Sequence, residues 1–245
     1  MASLNQLRTG IFNKIHYLDF GDGRQMELPM GDNLDLACPL CGEIESSLFL
    51  QGRRRTFWRC SICQLIFVPA KFHLSLDQEK AEYDQHENSP SDMGYRKFLS
   101  RTLDPVLARI SPGSRGLDFG SGPGPTLSKM FQEAGHSIEI YDPFFAPNDS
   151  VLAQKYDFVT ATEVVEHLRN PQVDLARIWN CVGQGGLLAI MTKLALGHDE
   201  FSKWHYKNDP THVSFYSRAT FQWLAKQWDA KLTFVGSDVM ILARS

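Results

Sequence analysis

Three groups of residues have the types and spacing to do chemistry. The first is Leu117 to Gly124, LDFGSGPG, where Asp118 ends an apolar run and glycines stand at 120, 122 and 124. Glycines there let the backbone turn tightly after a strand and approach a ligand where a Cβ would collide, while a following helix offers free N–H groups. That is a nucleotide-type loop. A dinucleotide fingerprint would place its third glycine where this chain has Pro125, so the spacing argues against NAD. The second group is EVVEH: on a helical turn Glu163, Glu166 and His167 stand at i, i+3 and i+4 and share a face. The third is two CxxC pairs, Cys38 with Cys41 and Cys60 with Cys63, separated by 18 residues. This spacing matches a tetrahedral four-thiolate zinc site with no open position, so the ion would be structural and the ribbon would need it to fold. Disulfides are the competing reading, and a cytoplasmic chain keeps its thiols reduced. The fifth cysteine, Cys181, reads as a small buried hydrophobe.

The elements that must position these groups alternate. A helical stretch, Leu127 to Ala134, follows the glycine loop, then an apolar run from Ser137 to Tyr141 closes on Asp142. An acid at the tip of a second strand is placed to accept ribose hydroxyls. Tyr156 to Ala161 reads as a buried strand, Pro171 to Val182 as a helix, and the glycine turn 183 to 186 leads into LLAIM. This order predicts a doubly wound, mostly parallel Rossmann-like α/β sheet. A final helix after Ser217 and strands at Lys231 to Val235 and Val239 to Ala243 add an antiparallel C-terminal edge. The short interval between Asp142 and Tyr156 predicts an abbreviated opposite edge. After the fifth strand comes WHYKNDPTHVSFYS, a polar aromatic loop carrying His205, Asp209 and His212, at the sheet edge where substrates bind.

With its acid two residues before the first glycine, the loop resembles motif I of class I S-adenosylmethionine (SAM)-dependent methyltransferases, in which that acid meets the methionine end of the cofactor. YDFVTATEVVEHL and GQGGLLAIMTK resemble the later motifs in the right order, over about residues 113 to 245. The resemblance implies SAM lined by Asp118, Gly120, Ser121, Gly122, Gly124, Asp142, Pro143, Thr162 and Glu163. EVVEH with a later histidine also resembles metal-assisted O-methyltransferases, which implies that Glu163, Glu166, His167 and His212 chelate an ion such as Mg²⁺ that lowers the pKa of the attacking hydroxyl. The same motif is similar to the cofactor floor of metal-free class I enzymes, and both readings stand. In either, His212, Glu163, Glu166 and His167 form the catalytic side, and a histidine base would titrate near neutral pH.

Net charge of −3 and a pI near 6.2 exclude an extensive nucleic-acid surface. The longest apolar run is too short for a membrane span, and the N-terminus has no apolar signal region, so the expectation is a soluble, cytoplasmic protein. The reading divides the chain into an extension at 1–35 with a short hairpin, a zinc ribbon at 36–72, a helical connector at 73–112 and the methyltransferase domain at 113–245. In the connector, Tyr83, His86 and Tyr95 are lid candidates. Between the cysteine pairs, Arg53 to Arg55 with Phe57 and Trp58 would either grip RNA locally or form a solvated hairpin tip whose aromatics fill the ribbon core. The partner is therefore a small polar metabolite or a local RNA contact, with methyl transfer to an O, N or C nucleophile. The rival reading is an inactive zinc-ribbon and Rossmann binding module, which would need a blocked cofactor loop.

Overall fold

A computed structural model of the chain describes residues 17–19, 25–27, 36–85 and 89–245. Two compact units divide the chain at Asp35 and Leu36. In the first, β1 (Tyr17–Asp19) pairs antiparallel with β2 (Gln25–Glu27), the hairpin expected there. Among the described residues no helix is long and apolar enough to cross a membrane.

The second unit is built on a six-stranded sheet. Its strands are β6 (Arg115–Phe119), β7 (Ser137–Tyr141), β8 (Tyr156–Thr162), β9 (Val182–Met191), β11 (Ala230–Val235) and β12 (Val239–Arg244). They lie in the order β11-β12-β9-β8-β6-β7, with the last four parallel and β12 and β11 antiparallel. The expected α/β fold is present, and so is the abbreviated edge: only a 3-10 turn, Asp149–Ala153, lies between β7 and β8, leaving β7 outermost.

Alternate residues of the buried strands feed two cores, as a period of two requires. Phe158, Ala189, Met191 and Ile241 pack with Leu99, Leu103 and Val106 of α2 (Met93–Leu107) and with Leu127, Met130 and Phe131 of α3 (Thr126–Glu133). Val159, Ala161, Leu188, Ile190 and Leu242 face the other way, onto α4 (Pro171–Cys181) and α6 (Arg218–Gln227). Cys181 is buried in this second core, as the sequence suggested.

The four cysteines flank a small antiparallel sheet of β3 (Ser46–Gln51), β4 (Thr56–Cys60) and β5 (Ile66–Phe67), with Cys60 ending β4 and the other three in turns or loops beside it. A fourth strand, β10 (Ser214–Phe215), comes from the stretch read as a loop after the fifth strand. That stretch is ordered for a physical reason. Phe215 is 1% exposed, and it packs edge-on against Phe57 of β4 and Phe201 of α5 (His198–Lys203).

Close packing of β6 against β8 yields a direct test. A Cβ at Gly116, the second residue of β6, would overlap the Phe158 ring. Gly116→Ala should therefore destabilise the fold by about 1–3 kcal/mol through overpacking, read as a lowered urea midpoint at unchanged slope.

Candidate functional site

The carboxyl ends of β6, β7 and β8 meet where the connection out of β7 crosses β6 to reach β8, the position where open α/β sheets bind ligands. The glycine loop leaves β6 here. Gly120 and Gly122 have φ of 73° and 65°, left-handed conformations that favour glycine. A Cβ on Gly120 would run into the Val164 side chain, so the loop sits directly against the EVVEH turn.

Asp142, at the tip of β7, accepts from Gly122 N at 2.9 Å through Oδ2 and from Phe144 N and Phe145 N through Oδ1. It shapes the loop and keeps lone pairs for further donors. Asp118 is held by two hydroxyls. Its Oδ1 accepts from Thr160 Oγ1 at 2.7 Å and its Oδ2 from Ser128 Oγ at 3.0 Å, so this buried carboxyl braces the loop from beneath. Pro143 is exposed, whereas Gly124 and Thr162 are half-buried. Ser121 Oγ and Thr162 Oγ1 are buried without a hydrogen-bond partner, as are Glu163 Oε1 and Glu166 Oε2. Four such oxygens at one edge, beside a cradle closed to any Cβ at residue 120, suit a polar ligand such as SAM.

EVVEH converges by a route other than a shared α-helical face. Glu163 has φ of 52°, and Val165–His167 forms a 3-10 turn. The point of convergence is Tyr206, in the 3-10 turn His205–Asn208, which sequence reasoning did not single out. Its buried hydroxyl donates to Glu166, lies 3.4 Å from Glu163 Oε2 and 3.3 Å from Thr192 Oγ1. Only the company of three aromatics in that stretch hinted at a buried phenol. Burial first, and then the neighbouring glutamate, push Glu163 up to about 8. Burial raises Glu166 to about 7 against the Tyr206 hydrogen bond.

His212 is buried beneath this turn, its ring 4.1 Å from Tyr206 and 4.7 Å from His167. Its Nδ1 faces the Tyr206 carbonyl at 2.8 Å. A carbonyl can only accept, so Nδ1 carries the proton. The near-neutral titration expected of His212 is corrected: burial, then the His167 charge, hold it down at about 4. It is a neutral imidazole at physiological pH, whereas the two glutamates are pushed up toward neutrality. His205 is exposed and Asp209 caps Thr211, with its carboxylate 3.7 Å from His212 Nε2.

The connector closes over this edge. Tyr83, on α1 (Leu76–Tyr83), packs against His167 at 5.4 Å and Phe144 at 5.7 Å. Glu79 on the same helix pairs with Arg169. Tyr95 is half-buried, and its hydroxyl is pushed up to about 12 by burial and by Asp118 and Glu163. His86 lies outside the described residues.

Among the described residues, two clusters have the donors for a metal. Sγ atoms of Cys38, Cys41, Cys60 and Cys63 all lie within 4.8 Å of one another, with Cys38 to Cys63 and Cys41 to Cys60 at 3.4 Å. A tetrahedral ion with bonds of about 2.3 Å spaces its thiolates by about 3.8 Å, so the set fits. All four are free thiols. The hydrogen bond from Cys63 pulls Cys38 down to about 6, which readies one thiolate at neutral pH. The second cluster is Glu166, His167 and His212. One carboxylate and two imidazoles do not suit Mg²⁺, which demands oxygen donors, and Glu163 is not among them. Nothing in this geometry supports Mg²⁺ at the four-residue set.

Asp118 gives the site a stability signature. Burial raises its carboxyl to about 6 from an ordinary 3.8, against the two hydroxyls that lower it. Between those values the folded chain holds a proton that the unfolded chain has released, so this contribution is complete below pH 4 and lost as pH rises through about 6. Urea unfolding across that window should lose part of its pH slope in Asp118→Asn, by up to about 1.4 kcal/mol per pH unit.

A family model described as a methyltransferase domain matches residues 93–233. No curated protein matches the chain. Similar solved structures include a SAM-dependent methyltransferase from Archaeoglobus fulgidus, at 16% identity over 61% of this chain and 94% of that one, TM-score 0.47. Magnesium protoporphyrin IX methyltransferase from Synechocystis, with bound SAM, is 14% identical over 71% and 93%, TM-score 0.47. The 1,6-didemethyltoxoflavin-N1-methyltransferase of Burkholderia thailandensis is 14% identical over 82% and 99%, TM-score 0.46. The family match spans more than half of the chain and takes in the glycine loop, Asp142 and the EVVEH turn in order; the chain belongs to the methyltransferase domain family.

Proposed function

We propose that the chain transfers the methyl group of SAM to a hydroxyl or amine of a small polar metabolite, bound where Glu163, Glu166, Tyr206 and His212 meet the glycine loop. One observation carries this reading: the contact of Gly120 with Val164 joins a cofactor-type cradle to a cluster of buried acids at one sheet edge. When bound, SAM supplies a methyl carbon on a sulfonium, open to in-line displacement. Gly120 and Gly122 allow close backbone approach, and Asp142 accepts from the ribose. Glu163 and Glu166 accept the hydrogen bonds of the acceptor's O–H or N–H, and their ionised forms take its proton. With carboxyls at about 8 and 7, that fraction grows as pH rises through neutrality. Neutral His212 holds the Tyr206 backbone, and Tyr206 orients Glu166.

The ribbon supports the metabolite over RNA. Phe57, read as a possible stacking platform, is 3% exposed and packed against Phe201 and Phe215. Arg55 is half-buried, leaving Arg53 and Arg54 as the exposed basic pair of the tip. We also propose that the four cysteines hold one structural zinc ion.

Calorimetry with S-adenosylhomocysteine tests the donor side. The wild-type chain should bind, and Gly122→Val or Asp142→Ala should each weaken binding about tenfold or more, as expected for a blocked backbone approach or a lost charge-assisted hydrogen bond. Absence of binding to the wild-type chain would refute the reading. Mass spectrometry of the chain as purified from cells, read for a retained small molecule, addresses the acceptor.

Elemental analysis should find one zinc ion per chain in protein prepared without chelators, and Cys60→Ser should lose it. A chain free of metal with four titratable thiols in the folded state would overturn the zinc assignment.

A further inference from the structure

Arg53, Arg54 and Arg55 follow one another at the tip between β3 and β4, and only Arg55 turns inward. Its guanidinium lies 5.3 Å from the centroid of the Phe57 ring. Its Nη atoms donate to four main-chain carbonyls: His212 at 2.9 Å, Pro210 at 3.3 Å, Lys207 and Asp209. All four belong to the short segment that carries Tyr206 and His212. The carbonyls at the end of the 3-10 turn His205–Asn208 have no helical partner of their own, and a planar fork of five N–H donors satisfies several at once. Lysine offers one ammonium and cannot span them.

Two further contacts fix the same segment. Next in sequence, β10 pairs with β5, with Ser214 opposite Phe67 and Phe215 opposite Ile66. On its other side Val213 N donates to Glu166 O at 2.8 Å, Ser214 Oγ to Leu168 O at 2.9 Å and Tyr216 Oη to Val165 O at 3.2 Å. The segment is thus held between the ribbon and the EVVEH turn. Burying a guanidinium among neutral carbonyls costs desolvation that an exposed arginine avoids, and Arg53 and Arg54 stay in water.

We propose that Arg55 is a positioning residue for methyl transfer: through it the four-cysteine ribbon sets the His205–Tyr216 segment in register with Glu163 and Glu166, and so governs the acceptor side of the site while leaving cofactor binding alone. This rests on the reading of that edge as the acceptor side.

Hydrogen exchange of the full chain, followed by mass spectrometry and paired with S-adenosylhomocysteine calorimetry, tests it. Arg55→Lys should raise exchange in peptides spanning 205–216 by about tenfold or more, from the loss of several hydrogen bonds, with exchange across β6 and α3 unchanged and ligand affinity within about twofold. Arg53→Lys should change neither. In Arg55→Ala, millimolar ethylguanidinium should restore protection of the segment, which a general loss of packing would not allow. Unchanged exchange at 205–216 in Arg55→Lys would overturn the proposal, as would a parallel loss of ligand affinity. Should the variants fail to fold, the wild-type chain decides: a clamped guanidinium gives separate, slowly exchanging Arg55 Nη–H resonances, and one averaged resonance refutes the clamp. If the wild-type chain binds no S-adenosylhomocysteine, the function reading fails by itself and the exchange data still judge Arg55.

Discussion

A side chain at residue 120 would collide with Val164, and the site depends on that exclusion. The loop leaving β6 must turn with positive φ while lying against the residue between Glu163 and Val165, which only glycine does without strain. Glu163, itself at φ 52°, accepts a conformation costing about 1–3 kcal/mol on the other side of the same contact. The two backbones therefore meet closely enough for a ligand cradled by one to be reached by groups on the other. Separate the contact, and the glycine loop and the acidic turn are two unrelated features of a sheet edge.

Asp118 and Glu166, both buried, and the half-buried Glu163 stand close to this edge, and each resists ionisation because burial removes its water. The chain meets this cost with hydroxyls. Ser128 and Thr160 serve Asp118, and Tyr206 with Thr192 serves the glutamate pair. Donors of this kind favour the carboxylate without neutralising it, so the groups are left titrating near neutrality. Perturbed acids that the fold must pay for are characteristic of sites where proton transfer matters.

The ribbon is continuous with the catalytic part in a physical sense. Cys38, Cys60, Cys63, Leu65 and Phe67 share a core with Leu175, Tyr216 and Phe221, while Phe57 and Ile66 share another with Phe201, Tyr206 and Phe215. Each buried phenylalanine contributes about 1.5–3 kcal/mol of transfer free energy, and each edge-on aromatic pair adds about 0.5–1.5 kcal/mol. With β10 completing the ribbon sheet, the strand after His212 pairs directly with β5 of the cysteine module. A metal that holds the knuckles would thereby stabilise the His205–Tyr216 segment as well.

Much of this was legible in the residues. Period-two apolar runs at 137–141 and 156–161, the glycine loop after Asp118 and the interval before Tyr156 determined the sheet, its glycine crossing and its short edge, because these are local patterns that any compact packing must respect. The paired CxxC spacing likewise brought four thiols together. Asp118 could be located but not oriented, since its partners Thr160 and Ser128 lie on a neighbouring strand and a helix, and only packing shows that they occupy both oxygens. Tyr206 and Arg55 were hidden for the same reason: one is a hub for residues some forty positions away, the other clamps carbonyls about 150 positions away. His212 was found by type and place, yet its proton affinity was not, because desolvation and a neighbouring imidazole, not sequence, set it. Local pattern fixes which elements form and where their tips fall; the identity of the groups that meet across them, and the charge they carry, arises only when distant segments exclude water together.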